Sequence, residues 1–134
     1  MLEIDVFLGL GNPVPDTRVQ PDLTSSHSGD DVIWHFHALD DNIKFVKVQF
    51  QDTTAGGKFF DSRGGKSHER KAKLDKKTTG KGGHGHILGV TPSIGGGKTE
   101  AKKYSIIAYD DDPDKGGNEL TDYTYDPTIV TCDP

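Results

Sequence analysis

An alternation of apolar and polar residues with a period of two limits the possible folds of this chain more than any other feature. The alternation is clearest in residues 31–38, DVIWHFHA, where Val32, Trp34 and Phe36 occupy every second position. Because successive side chains of a β-strand point to opposite faces, these three residues predict a strand with one face in the core. The two histidines of the segment then lie on the outer face.

Other segments show the same period or a high apolar content and predict further strands. They are Leu2–Leu8, Thr17–Gln20, Ile43–Gln51, His86–Val90, Lys103–Asp110, Leu120–Tyr125 and Thr128–Cys132. The turn segment 40–42, Asp-Asp-Asn, predicts a hairpin between the strands before and after it. The chain has 17 glycines and seven prolines, which favour turns. Seven to nine short strands therefore predict an all-β fold, an antiparallel β-sandwich of the Greek-key type.

The length of 134 residues suits a single domain over 1–134 with one core. A long basic loop, rich in Gly and Lys, interrupts the strand pattern at about 61–85. Its middle, Ser67–Lys77, contains good helix formers and predicts a short helix. With so little apolar surface, that helix would be marginal on its own.

The net charge of −5 is unevenly distributed along the chain. Residues 58–81 contain nine Lys and Arg against three Asp and Glu, whereas residues 105–134 contain one base against eight acids. The interleaved glycines and the overall acidity disfavour nucleic acid as a partner of the basic segment. The charge distribution instead predicts that the basic loop meets the acidic end of its own chain or of a neighbouring copy.

The residues expected to make that contact form two groups. The basic group is Lys66, Arg70, Lys71 and Lys73, and the acidic group is Asp110, Asp111, Asp112 and Asp114. A head-to-tail contact between copies builds rings or filaments, so these groups predict a homo-oligomer. Salt should weaken it, since the Debye length falls to about 3 Å near 1 M salt.

Two His-x-His pairs offer a different function. His35 and His37 share one face of a predicted strand, and His84 and His86 begin another. If the two strands are neighbours, four imidazoles can converge on zinc, copper or nickel. The alternative is that His35 and His37 only face solvent, as alternation alone predicts. Neither pair has cysteines or carboxylates at a spacing typical of metal sites.

The acidic segment 110–116, DDDPDKG, resembles part of a calcium loop but departs from it at two defining positions. The sixth position is Lys115 instead of glycine, and the twelfth is Thr121 instead of a bidentate Glu. A solvated acidic turn is the default reading, with a loose calcium site as the alternative. No nucleophile elbow or paired-carboxylate motif is present, so the sequence predicts a protein that is not an enzyme.

The order of these signals resembles the cupredoxin-like β-sandwich, a relative of Ig-like Greek-key folds. The matching segments are Ile4–Leu8, Pro13–Pro21, Gly29–Trp34 (GDDVIW), Phe45–Phe50, Tyr104–Tyr109 and Asp126–Val130. The resemblance covers most of the chain and implies a β-sandwich. In that family a hairpin histidine, with Cys, His and an axial Met around the last loop, binds copper.

The sequence departs from the copper-binding pattern at each of these ligands. The hairpin position falls near Asn42 and Ile43, and the loop after Tyr109 contains no Cys, His or Met. Met1 is the only methionine, and no histidine follows Cys132. The resemblance therefore implies a copperless relative without a type-1 copper site.

Targeting signals are also missing from the printed sequence. The N-terminal segment has no basic region, no window approaches the roughly 20 apolar residues of a membrane helix, and a single cysteine forms no intramolecular disulfide. We expect no membrane partner and a cytoplasmic location. The sequence thus predicts a non-catalytic interaction or self-assembly module without a cofactor; the alternative is a protein that binds zinc or copper through the His-x-His pairs.

Overall fold

The computed structural model of the chain describes residues 2–10, 16–20, 23–27, 29–50, 59–60, 68–76, 82–92, 96–120 and 125–133. Within these residues it contains nine β-strands, one short 3-10 turn and no α-helix. The strands are β1 (Leu2–Leu10), β2 (Asp16–Gln20), β3 (Leu23–His27), β4 (Asp31–Ala38), β5 (Phe45–Phe50), β6 (Glu69–Lys73), β7 (His84–Val90), β8 (Lys98–Tyr109) and β9 (Thr128–Asp133). The 3-10 turn is Pro113–Lys115.

The strands form two sheets that pack against each other. One sheet has the order β2-β1-β4-β7 and the other β3-β9-β8-β5-β6. Neighbours are antiparallel except β1 with β4 and β3 with β9, which are parallel. The prediction of an all-β sandwich is therefore confirmed. Within the described segments, no helix has the length and apolar character needed to cross a membrane.

The core lies between the sheets and is built by the predicted alternation. In β4, Val32, Trp34 and Phe36 are fully buried and the residues between them are not. The indole Nε1 of Trp34 donates a hydrogen bond of 3.2 Å to the hydroxyl of Tyr104 on β8, which links the two sheets. The other large buried side chains are Ile4, Val6, Leu8, Ile43, Val46, Val48, Phe50, Phe59, Phe60, Leu74, Ile87, Ile106 and Ile129.

The predicted hairpin between β4 and β5 is wrong. β4 pairs with β1 and β7, whereas β5 pairs with β6 and β8 in the other sheet. The Asp-Asp-Asn segment does reverse the chain, but Ile43 then enters the core with 2% of its surface exposed. The connection therefore crosses from one sheet to the other.

The predicted helix at 67–77 is also wrong, because Glu69–Lys73 forms β6. This strand pairs with β5 in register, Val48 opposite Arg70 and Val46 opposite Ala72. Ala72 packs against the core, so a period of two was present among residues that favour helices. Backbone hydrogen bonds to β5 therefore outweigh the helix propensity of these residues. β6 occupies part of the predicted loop at 61–85.

The remaining differences concern strand bounds. β3 forms where a loop was expected, and it takes its hydrogen bonds from β9, more than 100 residues further along the chain. β8 begins five residues earlier than predicted, at Lys98. Of the predicted strand at 120–125, residues 121–124 lie outside the described part, and Tyr125 makes a single bridge to Ile106.

A corner between the sheets lies beside the histidines. Asp75, just after β6, exchanges two backbone hydrogen bonds of 2.9 Å with His84 at the start of β7. Gly85 permits this approach, because a Cβ there would lie 2.8 Å from the carbonyl oxygen of Lys73. The glycine inside the second His-x-His pair therefore lets β6 and β7 meet.

Candidate metal-binding face

The four histidines of the two His-x-His pairs lie together on the outer face of the four-stranded sheet. β4 and β7 are antiparallel neighbours, and their register sets His35 opposite His86 and His37 opposite His84. The sequence left open whether the two pairs are on neighbouring strands, and the topology brings them side by side. We refer to these four side chains as the histidine face.

His37 and His84 make the closest contact within the histidine face. Their Nδ1 atoms are 3.1 Å apart, and their ring planes cross at 74° with centroids 5.3 Å apart. A hydrogen bond between two imidazole nitrogens needs a proton on one and a lone pair on the other. The two Nδ1 atoms therefore share one proton. When that proton is lost, both Nδ1 atoms are able to bind a metal ion.

Two carboxylates of β1 contact the same histidines. Asp5 Oδ1 lies 3.0 Å from Nε2 of His37, and Glu3 Oε1 lies 3.3 Å from Nε2 of His35. Since an ionised carboxylate only accepts hydrogen bonds, each histidine donates from Nε2. In neutral His37 this leaves Nδ1 without a proton, so Nδ1 accepts from His84.

Sequence reasoning missed these two carboxylates. The alternation in β1 was a signal that Glu3 and Asp5 face outward, but nothing in the sequence shows that β1 lies beside β4. The parallel register sets Asp5 opposite His35 and Phe7 opposite His37. Phe7 also stacks on the His37 ring, with centroids 5.0 Å apart and planes at 24°.

The histidine face is partly open to solvent. The side chains of His35 and His37 are 38% and 30% exposed, and His84 and His86 are exposed. The four histidines line a shallow depression that Lys73 and Asp75 border at the corner between the sheets. Among the described residues, no group of three or more His, Cys, Asp or Glu side chains is already arranged around one point.

One residue of the predicted basic group contacts two residues of the predicted acidic group within the same chain. Lys71 Nζ lies 2.5 Å from Asp112 Oδ1 and 2.6 Å from Asp114 Oδ2. We refer to this three-residue contact as the β6 clamp, because it ties β6 to the 3-10 turn after β8. The clamp corresponds to the first of the two contacts predicted from the sequence, that of the basic loop with the acidic end of the same chain.

The other basic residues are separated by the alternation in β6. Arg70 points to the inner side, with its guanidinium 5.5 Å from the centre of the Phe60 ring. Lys73 is exposed on the outer side, with Nζ 3.9 Å from Asp75 Oδ1. Lys66 lies outside the described residues, and of the other three Arg70 is on the opposite side of β6 from Lys71 and Lys73.

The acidic residues mostly shape their own turn. Asp112 Oδ1 accepts from the backbone N–H of Asp114 at 3.0 Å, and Asp110 Oδ1 accepts from that of Asn118 at 2.7 Å. Asp111 Oδ1 accepts from the N–H of Asp112 at 2.8 Å. The Lys71 ammonium group lies between Asp112 and Asp114, so these two carboxylates already have a cationic partner.

The β6 clamp shifts the ionisation of its members. Hydrogen bonds to Asp112 and then Asp114 hold the pKa of Lys71 above its ordinary value. The hydrogen bond from Lys71, followed by that from the Asp114 backbone, holds the pKa of Asp112 below its ordinary value. Both shifts favour the charged pair.

The chain matches no protein-family model and no curated protein. Among solved structures it is similar to Lac15 from a marine microbial metagenome, with 9% sequence identity and a TM-score of 0.43. The alignment covers 99% of this chain and 32% of that chain, so this chain spans about a third of its length. A likeness of this degree carries no argument about function.

Proposed function

We propose that this protein is a non-catalytic module that binds a divalent transition metal ion on its histidine face. The observation that carries the proposal is the distance of 3.1 Å between the Nδ1 atoms of His37 and His84. Two Zn–N bonds of about 2.0–2.1 Å at a tetrahedral angle set their nitrogens about 3.3–3.4 Å apart. The pair is therefore close to the separation of two metal ligands before any metal is added.

The contacts of the ligand pair also support metal binding. Metal-binding histidines commonly donate their second N–H to a carboxylate, which fixes the tautomer and raises the basicity of the ligand nitrogen. Asp5 supplies that contact to His37, and Glu3 supplies it to His35. Phe7 limits rotation of the His37 ring, so less conformational freedom is lost on binding.

The ligand chemistry favours zinc or copper over calcium. Imidazole nitrogens suit Zn²⁺ and Cu²⁺, whereas calcium takes six to eight oxygen ligands. The resemblance to copperless cupredoxin-like proteins stays a prediction, and the histidine face is a different site from the one that resemblance implies. Its ligands come from β4 and β7, not from a hairpin and the last loop.

The test is calorimetric titration of chelator-treated protein with Zn²⁺ and with Cu²⁺. We expect saturable binding that His37→Ala and His84→Ala each weaken at least tenfold, because each removes one nitrogen of the pair. Asp5→Ala should weaken binding roughly tenfold, the lower end of the effect of removing such a supporting carboxylate.

His68→Ala is the matched control, since this histidine lies just before β6 and outside the histidine face. It should bind metal as the original chain does. Equal affinity in His84→Ala and the original chain would show that any binding comes from elsewhere, and the proposal would then be wrong.

A further inference from the structure

We infer that the metal ion joins two copies of this chain face to face, with His37 and His84 of each copy as its four ligands. This inference rests on the proposed function and names its partner, a second copy of the chain. One copy brings two nitrogens to the separation of metal ligands, and a structural zinc site requires four. A two-fold axis through the ion supplies the other two from the same surface of the second copy.

The other two histidines of the same chain are less suited to complete the site. His35 and His86 lie opposite each other as a second pair, and His35 contacts Glu3 on β1 through Nε2. The row of His35 and His86 lies two residues along the strands from the row of His37 and His84, a distance of about 7 Å. Convergence of all four would therefore require the side chains to leave their present contacts.

Three exposed apolar residues lie on the same outer surface as the histidine face, two on β7 and one just after β4. Leu88 and Val90 continue the alternation of β7 beyond His86, and they are 60% and 46% exposed. Leu39 follows His37 at the next outward position and is 44% exposed. These are the exposed large apolar side chains within the described segments, and packing two such faces together would remove them from water.

The charges on this face make the association depend on metal. Glu3 and Asp5 are 58% and 55% exposed beside the histidines, so two metal-free faces bring like charges together. A divalent cation between the faces offsets that repulsion.

The choice of ligand atom also fits two sheets packed face to face. The Nδ1 atoms of His37 and His84 are the ring nitrogens nearer the backbone, which suits the spacing of about 10 Å between packed sheets.

The experiment measures mass and metal content of the full chain together. Chelator-treated protein is titrated with Zn²⁺, its mass is followed by sedimentation velocity, and bound zinc is counted after gel filtration. We expect the mass to rise from one chain to two, with one ion for every two chains. His84→Ala should remain a single chain at every zinc concentration used.

Leu88→Lys tests the packing without touching a ligand. It should raise the dissociation constant of the dimer roughly tenfold or more, because a charge replaces an apolar contact. Ala101→Lys is the matched control, since it adds the same side chain at an exposed position of β8 in the other sheet, and it should dimerise normally.

The outcomes separate this inference from the proposed function. One zinc ion per chain with an unchanged mass would overturn the dimer and leave metal binding intact. No zinc binding would overturn both. Doubling of the mass that persists in His84→Ala, or that Leu88→Lys leaves unaltered, would also reject the proposed contact.

Discussion

At the scale of single residues, the sandwich buries two threonine hydroxyls that differ in their hydrogen bonding. Thr91 and Thr131 are each 1% exposed. The hydroxyl of Thr91 accepts from the backbone N–H of Asp30 at 2.9 Å. The hydroxyl of Thr131 has no hydrogen-bond partner among the residues that the structure describes. A buried polar group without a partner costs free energy, whereas a bonded one stabilises.

The same substitution should therefore have opposite effects at the two positions. Thr131→Val should raise the free energy of unfolding by about 1 kcal/mol, and Thr91→Val should lower it by about 1–2 kcal/mol. Urea unfolding followed by the fluorescence of Trp34, the only tryptophan, measures both. A loss of stability in Thr131→Val would mean that its hydroxyl is bonded to a buried water molecule.

At the scale of the elements, the β6 clamp predicts a particular dependence of stability on pH. The pKa of Asp112 is lowered in the folded chain, so its contribution is present above its ordinary pKa and is lost as pH falls through the folded value. The pKa of Lys71 is raised, so its contribution is present below its ordinary pKa and is lost as pH rises through the folded value. The clamp therefore stabilises the fold across the neutral range and fails at both extremes.

Thermal unfolding of Lys71→Met between about pH 2 and pH 11 measures this effect. The melting temperature should lie below that of the original chain near neutrality, and the difference between the two should shrink toward both ends of the range. Lys73→Met is the matched control on the same strand, because Lys73 is 69% exposed and its nearest carboxylate oxygen among the described residues is 3.9 Å away. A constant difference for Lys71→Met at every pH would show that its effect comes from packing alone.

The elements also show which parts of the structure local sequence can predict. Alternation predicted the bounds of β4 and its buried residues, because the pattern within one strand is enough to show which of its faces is buried. The predictions for β6 and for the hairpin failed because each depended on a partner strand elsewhere in the chain. The same limit applies to the site: alternation set His35 and His37 on the outer face, but their nearness to His84 and Asp5 depends on sheet order.

At the scale of the whole molecule, the described lysines of the basic segment lie beside carboxylates of the same chain. The basic segment reaches the acidic turn of its own chain through Lys71, and Arg70 points inward over Phe60. These contacts reduce what the described basic residues can offer to another copy. A homo-oligomer, which the sequence also predicts, would then depend on the histidine face instead of on the charged groups.

This difference predicts how mass responds to salt. Between about 10 mM and 1 M NaCl the Debye length falls from about 30 Å to about 3 Å, so an assembly held by exposed charges should dissociate. We expect metal-free protein to have the mass of one chain at both concentrations. The zinc-loaded dimer should persist at 1 M NaCl, because coordinate bonds and apolar contacts are screened little. Light scattering on metal-free and zinc-loaded protein at both salt concentrations measures these masses. A metal-free particle that is large at low salt and small at high salt would instead support assembly through the basic and acidic groups.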